Sequence, residues 1–97
     1  MYKIPVIDLF AGAGGLSIGA HLAGADVRLS IEIDSTACAT MRYNKKHHPG
    51  EVLEGDVSML DGAQLRRLAG LTKFDPLIVV GGPPCQPFSK NSYWTDP

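Results

Sequence analysis

The sequence has little of what membrane, exported or metal-binding proteins need. Its 97 residues include two cysteines, Cys38 and Cys85, which are too far apart for a C-x-x-C metal motif. The longest apolar run, Leu77 to Val80, is far shorter than the ~20 residues of a membrane helix. Asp8 interrupts the first apolar stretch, so no signal peptide is expected. We therefore expect a cytoplasmic protein without membrane partners.

The sequence also lacks an excess of positive charge, because nine basic and ten acidic residues give a formal net charge of −1. Domains that bind nucleic acid by themselves usually carry a basic face. The composition thus gives no support for tight, autonomous DNA binding. The basic-looking stretch Arg42 to His48 is expected to be a solvated loop rather than a phosphate contact. His47 and His48 have no partners at metal-ligand spacing, so no metal site is predicted.

Short apolar runs alternate with helix-like segments along the chain. Strands are predicted at 4–9, 27–32, 51–53 and 77–80, and helices at 16–23, 35–44 and 62–69. Gly24 and Gly70 are expected to end the first and third helices. Asp34 or Ser35, and Asp61, are expected to cap the second and third. The alternation predicts an α/β fold with a parallel sheet of about four strands and flanking helices.

The fourth predicted strand suggests that the sheet continues beyond it. The strand is apolar on both faces, which is typical of a buried central strand in a parallel sheet. Residues 91–97 contain no further strand or helix to cover it, and a bare apolar edge favours aggregation. We expect more sheet to follow, in a longer chain or in a partner.

Each predicted strand ends in residues suited to ligand binding. Ligands of open parallel sheets bind outside the carboxyl ends of the strands. The first strand leads into a glycine turn at 12–15, the second ends at Glu32, the third near Asp56, and the fourth at Gly81-Gly-Pro-Pro-Cys85. The four strand ends are therefore expected to line one crevice.

The glycine turn and Glu32 have the spacing of a nucleotide-binding site. The turn lets a ligand approach the backbone near helix amide groups. It is not a P-loop, because no Gly-Lys-Ser/Thr follows, and it departs from G-x-G-x-x-G at Ser17. Glu32 follows Gly12 by 20 residues, the usual distance to a ribose-binding carboxylate. Taken singly, these features are compatible with a plain turn and a solvated glutamate; their coincidence at strand ends favours a site.

The two cysteines are expected to differ. Cys38 lies on the second predicted helix and is expected to be a small buried apolar side chain. Cys85 follows a strand and lies between Pro84 and Gln86-Pro87, where the chain cannot continue as sheet or easily form helix. A thiol held rigidly at the crevice suits a nucleophile. Cys85 is therefore the candidate nucleophile.

Four stretches resemble sequence motifs of the cytosine carbon-5 methyltransferase family. Asp8-Leu-Phe-Ala-Gly-Ala-Gly-Gly-Leu16 resembles the first motif, and Gly82-Pro-Pro-Cys-Gln-Pro-Phe-Ser89 resembles the fourth. Glu32-Ile-Asp34 and Gly55-Asp-Val57 resemble the second and third, in the right order and spacing. The resemblance implies a Rossmann-like S-adenosylmethionine-dependent methyltransferase fold. Residues 1–97 would be the amino-terminal part of its catalytic domain, without the target-recognition region.

The resemblance also implies a role for each matched residue. Cys85 is the implied catalytic nucleophile, and Pro84 is implied to contact both the cofactor and the target base. The other implied contacts of S-adenosylmethionine are Phe10 and Ile33 at the adenine ring, Ala11, Gly12, Gly14 and Gly15 at the amino-acid end, Glu32 at the ribose hydroxyls, and Asp56 with Val57 at the adenine amino group.

In this family a cysteine thiolate adds to carbon 6 of cytosine, which makes carbon 5 nucleophilic enough to take the methyl group. The thiol pKa of ~8.5 means that the site must favour the thiolate, and the base must leave the duplex stack. A later glutamate, later arginines and a DNA-reading region have no counterpart before Pro97. The isolated chain is therefore predicted to lack methyl transfer, with DNA as the substrate of a longer enzyme or of one completed by a carboxyl-terminal subunit.

Two alternatives stay open. The chain could be a non-catalytic remnant or cofactor-binding module that no longer takes part in methyl transfer. It could also belong to a related branch that methylates transfer RNA, although Phe88-Ser-Lys90 favours DNA.

Overall fold

The computed structural model describes residues 2–82, so Pro84 and Cys85 lie outside the described residues. Within that range the strands are β1 Pro5–Asp8, β2 Asp26–Glu32, β3 Glu51–Glu54 and β4 Ile78–Val80. The helices are α1 Gly15–Leu22, α2 Ser35–Tyr43 and α3 Gly62–Leu68, with a 3-10 turn at Val57–Met59. No helix in this part of the chain is long and apolar enough to cross a membrane.

The four strands form one parallel sheet in the order β3-β2-β1-β4. The chain first builds outward from β1 through β2 to β3, and then crosses to the other side of β1 to form β4. The connections that leave β1 and enter β4 therefore run to opposite sides, which creates a topological switch point between these two strands. Open α/β sheets bind their ligands at such a point. The predicted α/β fold with a four-stranded parallel sheet is confirmed.

Local sequence signals determine where the helices begin and end. Asp34 caps α2 by accepting a backbone amide bond at 2.8 Å. Asp61 and Gln64 form a capping box at the start of α3. Gly24 and Gly70 follow α1 and α3 with φ of 96° and 74°, a conformation that favours glycine. The predicted caps and glycine stops are confirmed.

Helices cover both faces of the sheet. Successive side chains of a strand point to opposite faces, so each face has its own set of buried residues. On β2, Leu29 and Ile31 face the side covered by α3, and Ser30 faces the side covered by α1 and α2. Cys38 on α2 is fully buried, as predicted, and its thiol donates to the Glu32 carbonyl at 3.3 Å. Burial raises the pKa of the Cys38 thiol, and the nearby Glu54 carboxylate raises it further. Cys38 is therefore a packing residue.

Strand β4 lies at one edge of the described sheet, where it pairs with β1. Ile78 and Val79 are 45% and 51% exposed. The apolar composition of β4 predicts a buried central strand, but Ile78 and Val79 are exposed. The reason is that within residues 2–82 no strand lies on the far side of β4. Further sheet beyond β4 stays a prediction.

The expectation that residues 42–48 form a solvated segment is wrong at His48, which is 2% exposed. Arg42 is exposed and lies within α2, in agreement with the helix predicted at 35–44. The chain folds back after α2 so that the His48 ring lies beneath the glycine turn, where its Nε2 is 3.1 Å from Ser30 Oγ. The physical reason is that Ser30 lies on a buried face of the sheet and needs a hydrogen-bonding partner there.

Candidate functional site

A cleft of about 310 Å³ opens at the carboxyl ends of the four strands. This volume lies at the lower end of the range for small-molecule sites. The lining residues come from the end of every strand: Leu9, Phe10 and Gly12 after β1, Glu32 and Ile33 at β2, Gly55, Asp56 and Val57 after β3, and Gly82 after β4. The parallel sheet thus brings these four segments to one site, as the alternation of strands and helices predicts.

Two large apolar side chains, Phe10 and Ile33, line the cleft. Phe10 is 36% exposed and Ile33 is 66% exposed, so neither is a core residue. A Cβ at Gly81 would lie 3.3 Å from Phe10 Cδ2, which shows that the ring packs close to the backbone of that glycine. Apolar side chains gathered in an open cleft, together with Val57, suit a planar apolar group of a ligand.

Glu32 ties the glycine turn to the end of β2. Its Oε1 accepts a hydrogen bond from the Gly12 amide at 2.7 Å, and its Oε2 accepts one from the Asp34 amide at 3.0 Å. The carboxylate is therefore not the freely solvated strand-end group that the sequence also allowed. Each carboxylate oxygen can accept a second hydrogen bond, so the side chain can still receive ligand hydroxyls from the cleft.

Asp56 combines a turn role with a place in the cleft. Its Oδ1 accepts bonds from the Ser58 hydroxyl at 2.7 Å and the Ser58 amide at 2.9 Å. These bonds, the hydroxyl first, hold the pKa of the Asp56 carboxyl below its usual value. Both bonds go to Oδ1 in the described part of the chain, which leaves Oδ2 to accept from a ligand.

The remaining predicted cofactor residues form the glycine turn and the residue that precedes it. Gly12 has φ of 58° and lines the cleft. Ala11 and Gly14 are buried, and neither they nor Gly15 lines the cleft as described. Gly14 has φ of 99°, and a Cβ there would lie 3.0 Å from His48 Cδ2, so this position needs glycine for both conformation and space. Ala11, Gly14 and Gly15 therefore build the turn without lining the described cleft.

Sequence reasoning missed two sets of residues. Leu9, Gly55 and Gly82 also line the cleft, and each lies inside one of the stretches that resemble the family motifs. The second set is a buried polar chain of four residues on the α1 and α2 side of the sheet, made of Asp8, Ser17, Ser30 and His48. In residues 2–82 no group of three His, Cys, Asp or Glu side chains could hold a metal ion.

The departure from the glycine pattern at Ser17 has a structural explanation. In G-x-G-x-x-G the third glycine allows close packing between helix and strand. Here the Ser17 hydroxyl donates to Asp8 Oδ2 at 2.8 Å and lies 3.0 Å from Ser30 Oγ. The side chain at this position is therefore bonded to both neighbouring strands.

The strand order, the switch point and the strand-end cleft define a Rossmann-like α/β domain. The family model "C-5 cytosine-specific DNA methylase" matches residues 4–95, a stretch that includes Cys85. The chain belongs to this family.

Known proteins similar to this chain are considerably longer. It is 36% identical to type II methyltransferase M.SacI of Streptomyces achromogenes, over 98% of the chain and 27% of that protein. It is 46% identical to type II methyltransferase M.XorII of Xanthomonas oryzae, over 86% of the chain and 19% of that protein. A crystal structure of an E. coli prophage protein named as a DNA modification methyltransferase matches with a TM-score of 0.70 and 41% identity, over 87% of this chain and 23% of that one.

Proposed function

We propose that this chain binds S-adenosylmethionine in the strand-end cleft and, as part of a larger enzyme, transfers the methyl group to carbon 5 of cytosine in DNA. The observation that carries the proposal is the combination of apolar side chains with two carboxylates, Glu32 and Asp56, around one cleft. Membership of the cytosine carbon-5 family supports the reaction and favours DNA over transfer RNA.

The residues of the cleft fit an adenosine-containing ligand. Phe10, Ile33 and Val57 offer apolar contact for the adenine ring. The second lone pairs of the Glu32 carboxylate can accept two ribose hydroxyls, and Asp56 Oδ2 can accept the adenine amino group. We assign the amino-acid end of the cofactor to the turn that contains Ala11, Gly12, Gly14 and Gly15. Pro84 is proposed to contact both the cofactor and the base.

We assign the covalent step to the Cys85 thiolate. Its addition to carbon 6 of cytosine moves an electron pair to carbon 5, which makes that carbon nucleophilic. Bound S-adenosylmethionine supplies an electrophilic methyl group on a sulfonium sulfur. After methylation, loss of the carbon-5 proton to a base and expulsion of the thiolate restore the aromatic ring. A thiolate suits this role because it both adds and leaves readily.

Calorimetric titration of the purified protein with S-adenosylhomocysteine, which cannot transfer a methyl group, tests the cofactor site. We expect saturable binding with one site per chain, and a Cys85→Ala variant should bind equally well because the proposed role of the thiol is to attack the base. Absence of binding in a folded protein would contradict the proposal.

Methyl transfer is tested with labelled S-adenosylmethionine and cytosine-containing DNA. The isolated chain is expected to show no turnover. Adding a polypeptide that carries the later motifs of the family should restore transfer, and Cys85→Ala should abolish it. Cofactor binding without restored transfer would favour a non-catalytic module, and labelling of transfer RNA instead of DNA would favour the other branch.

A further inference from the structure

The buried polar chain of Asp8, Ser17, Ser30 and His48 lies on the α1 and α2 face of the sheet, beneath the cofactor cleft. Asp8 and Ser30 are paired neighbours on β1 and β2, Ser17 comes from α1, and His48 comes from the segment after α2. All four residues are at most 2% exposed. The chain runs from Asp8 Oδ2 to Ser17 Oγ at 2.8 Å, on to Ser30 Oγ at 3.0 Å, and then to His48 Nε2 at 3.1 Å.

With Ser17 Oγ donating to Asp8 Oδ2, the directions of the other two hydrogen bonds follow. The Ser17 hydroxyl donates its single proton to Asp8 Oδ2, so the bond between the two serines must be donated by Ser30. Ser30 then has no proton left, and His48 Nε2 must carry the hydrogen of the last bond. His48 Nδ1 has no partner within residues 2–82, which agrees with a bare lone pair on that atom. His48 is therefore a neutral donor.

Several groups around the His48 ring affect its charge. Burial lowers the pKa of His48, and the nearby His21 and Lys45 side chains lower it further. Its own backbone and the Asp8 carboxylate act in the opposite direction but do not compensate. The ring therefore stays neutral at pH values at which an exposed histidine begins to take up a proton.

The His48 ring also touches the glycine turn. Its Cδ2 lies 3.0 Å from the position that a Cβ on Gly14 would occupy. The Gly14 amide donates to Ala11 O at 2.9 Å, and the Ile18 amide donates to Gly14 O at 2.8 Å. Glu32 holds the same turn from the cleft side through Gly12. The turn therefore lies between a carboxylate on the ligand side and an imidazole on the core side.

We propose that His48 is a positioning residue for the cofactor cleft: anchored through Ser30 and Ser17 to Asp8, its ring supports the glycine turn from below and keeps Gly12 in place for the ligand. This inference rests on the proposed function, because it assigns an effect on cofactor binding to a residue outside the cleft. An apolar replacement would fill the space but would leave Ser30 Oγ without its donor, so the support would lose its anchor.

Hydrogen exchange of backbone amides tests the support without any ligand. In His48→Leu we expect the Gly14 and Ile18 amides to exchange about tenfold faster, the factor that corresponds to one lost hydrogen bond of ordinary strength. The Ala69 amide, which caps the end of α3 on the other face of the sheet and donates to Leu65 O, should change much less. His48→Gln keeps an N–H donor and should restore slow exchange. Equal acceleration of all three amides, or none, would overturn the inference.

Two further variants keep the test decisive if His48→Leu does not fold. Ser30→Ala removes the anchor and leaves the imidazole in place, so it should also loosen the turn relative to Ala69. His47→Leu makes the same chemical change at an exposed neighbouring position and should leave exchange of the turn as in the wild type. Turn exchange that is unchanged in Ser30→Ala, or that is equally fast in His47→Leu, would contradict the assigned role.

Titration with S-adenosylhomocysteine then links the turn to the cofactor. We expect the dissociation constant to rise about tenfold in His48→Leu, for the loss of one hydrogen bond, and to return close to the wild-type value in His48→Gln. Wild-type affinity in folded His48→Leu would overturn the inference and leave the proposed function intact. If the wild type itself does not bind, the proposed function fails, and with it the link to the cofactor, while the exchange experiment still decides whether His48 supports the turn.

Discussion

Replacing Glu32 by alanine should affect both folding and cofactor binding. The side chain accepts two backbone amide bonds, from Gly12 at 2.7 Å and Asp34 at 3.0 Å. Because the carboxylate is half-buried, we assign each bond the low end of the usual range, about 1 kcal/mol. Glu32→Ala should therefore lower the free energy of unfolding by about 2 kcal/mol, which corresponds to a loss of roughly 10 °C in Tm for a domain of this size.

The effect on binding adds to the effect on stability. Glu32→Ala removes the proposed acceptor of two ribose hydroxyls and releases Gly12 from its bond. We expect a loss of about 2 kcal/mol of binding free energy, or roughly thirtyfold in the dissociation constant of S-adenosylhomocysteine. Calorimetry at a temperature well below the Tm of the variant separates this loss from unfolding. Glu32→Gln keeps one acceptor oxygen and should give intermediate values.

Glu54 provides a matched control, because it is the last residue of β3 as Glu32 is of β2, and its side chain is exposed. Glu54→Ala removes the same charge from a neighbouring strand end but no hydrogen bond recorded among residues 2–82. It should change the free energy of unfolding by less than about 0.5 kcal/mol and leave binding unchanged. A Glu32→Ala variant with wild-type Tm and affinity, or a Glu54→Ala variant with the same losses, would refute this reasoning.

Two further predictions concern His48 and Gly50. Folding lowers the pKa of His48, so the imidazole of the unfolded chain binds a proton at a higher pH than that of the folded protein. The contribution of His48 to the free energy of unfolding is therefore fully present above the usual histidine pKa. Below it, the free energy of unfolding should fall with decreasing pH, by at most about 1.4 kcal/mol per pH unit. Urea unfolding between about pH 7.5 and 5.5 should show this slope in the wild type and a smaller one in His48→Leu. A Cβ at Gly50 would lie 2.3 Å from the Val27 carbonyl oxygen, so Gly50→Ala should cost about 2 kcal/mol or more. Gly62→Ala, in open space in the first turn of α3, should be neutral or slightly stabilising, and equal Tm values for the two variants would contradict the steric argument.

Much of the fold could be predicted from sequence because its signals are local. The alternation of apolar residues on β2, the capping side chains Asp34 and Asp61, and glycines at positive φ each act over a few residues. A parallel sheet then brings the strand ends to one edge, which is why the cleft was expected where it is found. The roles of Cys85 and Pro84 stay predictions that rest on the family motif.

Other features depend on contacts between distant residues, and local patterns do not report them. The alternation on β2 correctly predicted a strand, but it did not reveal that Ser30 is buried or that it lies beside Asp8. Likewise, a run of basic residues and histidines predicted a solvated loop, although His48 turns inward. Glu32 was expected to serve a ligand alone, and it also holds Gly12.

Local patterns were sufficient to predict the order of strands and helices, the ends of the helices and the family, because propensity, periodicity and motif spacing depend on neighbouring residues. Which side chains meet across the sheet depends on how the strands and helices pack together. The order β3-β2-β1-β4 and the register that pairs Asp8 with Ser30 bring residues from α1 and from the segment after α2 into one buried polar chain. The physical reason is that such a contact is stable only when all the elements are packed together, since each buried polar group needs a partner supplied by another element.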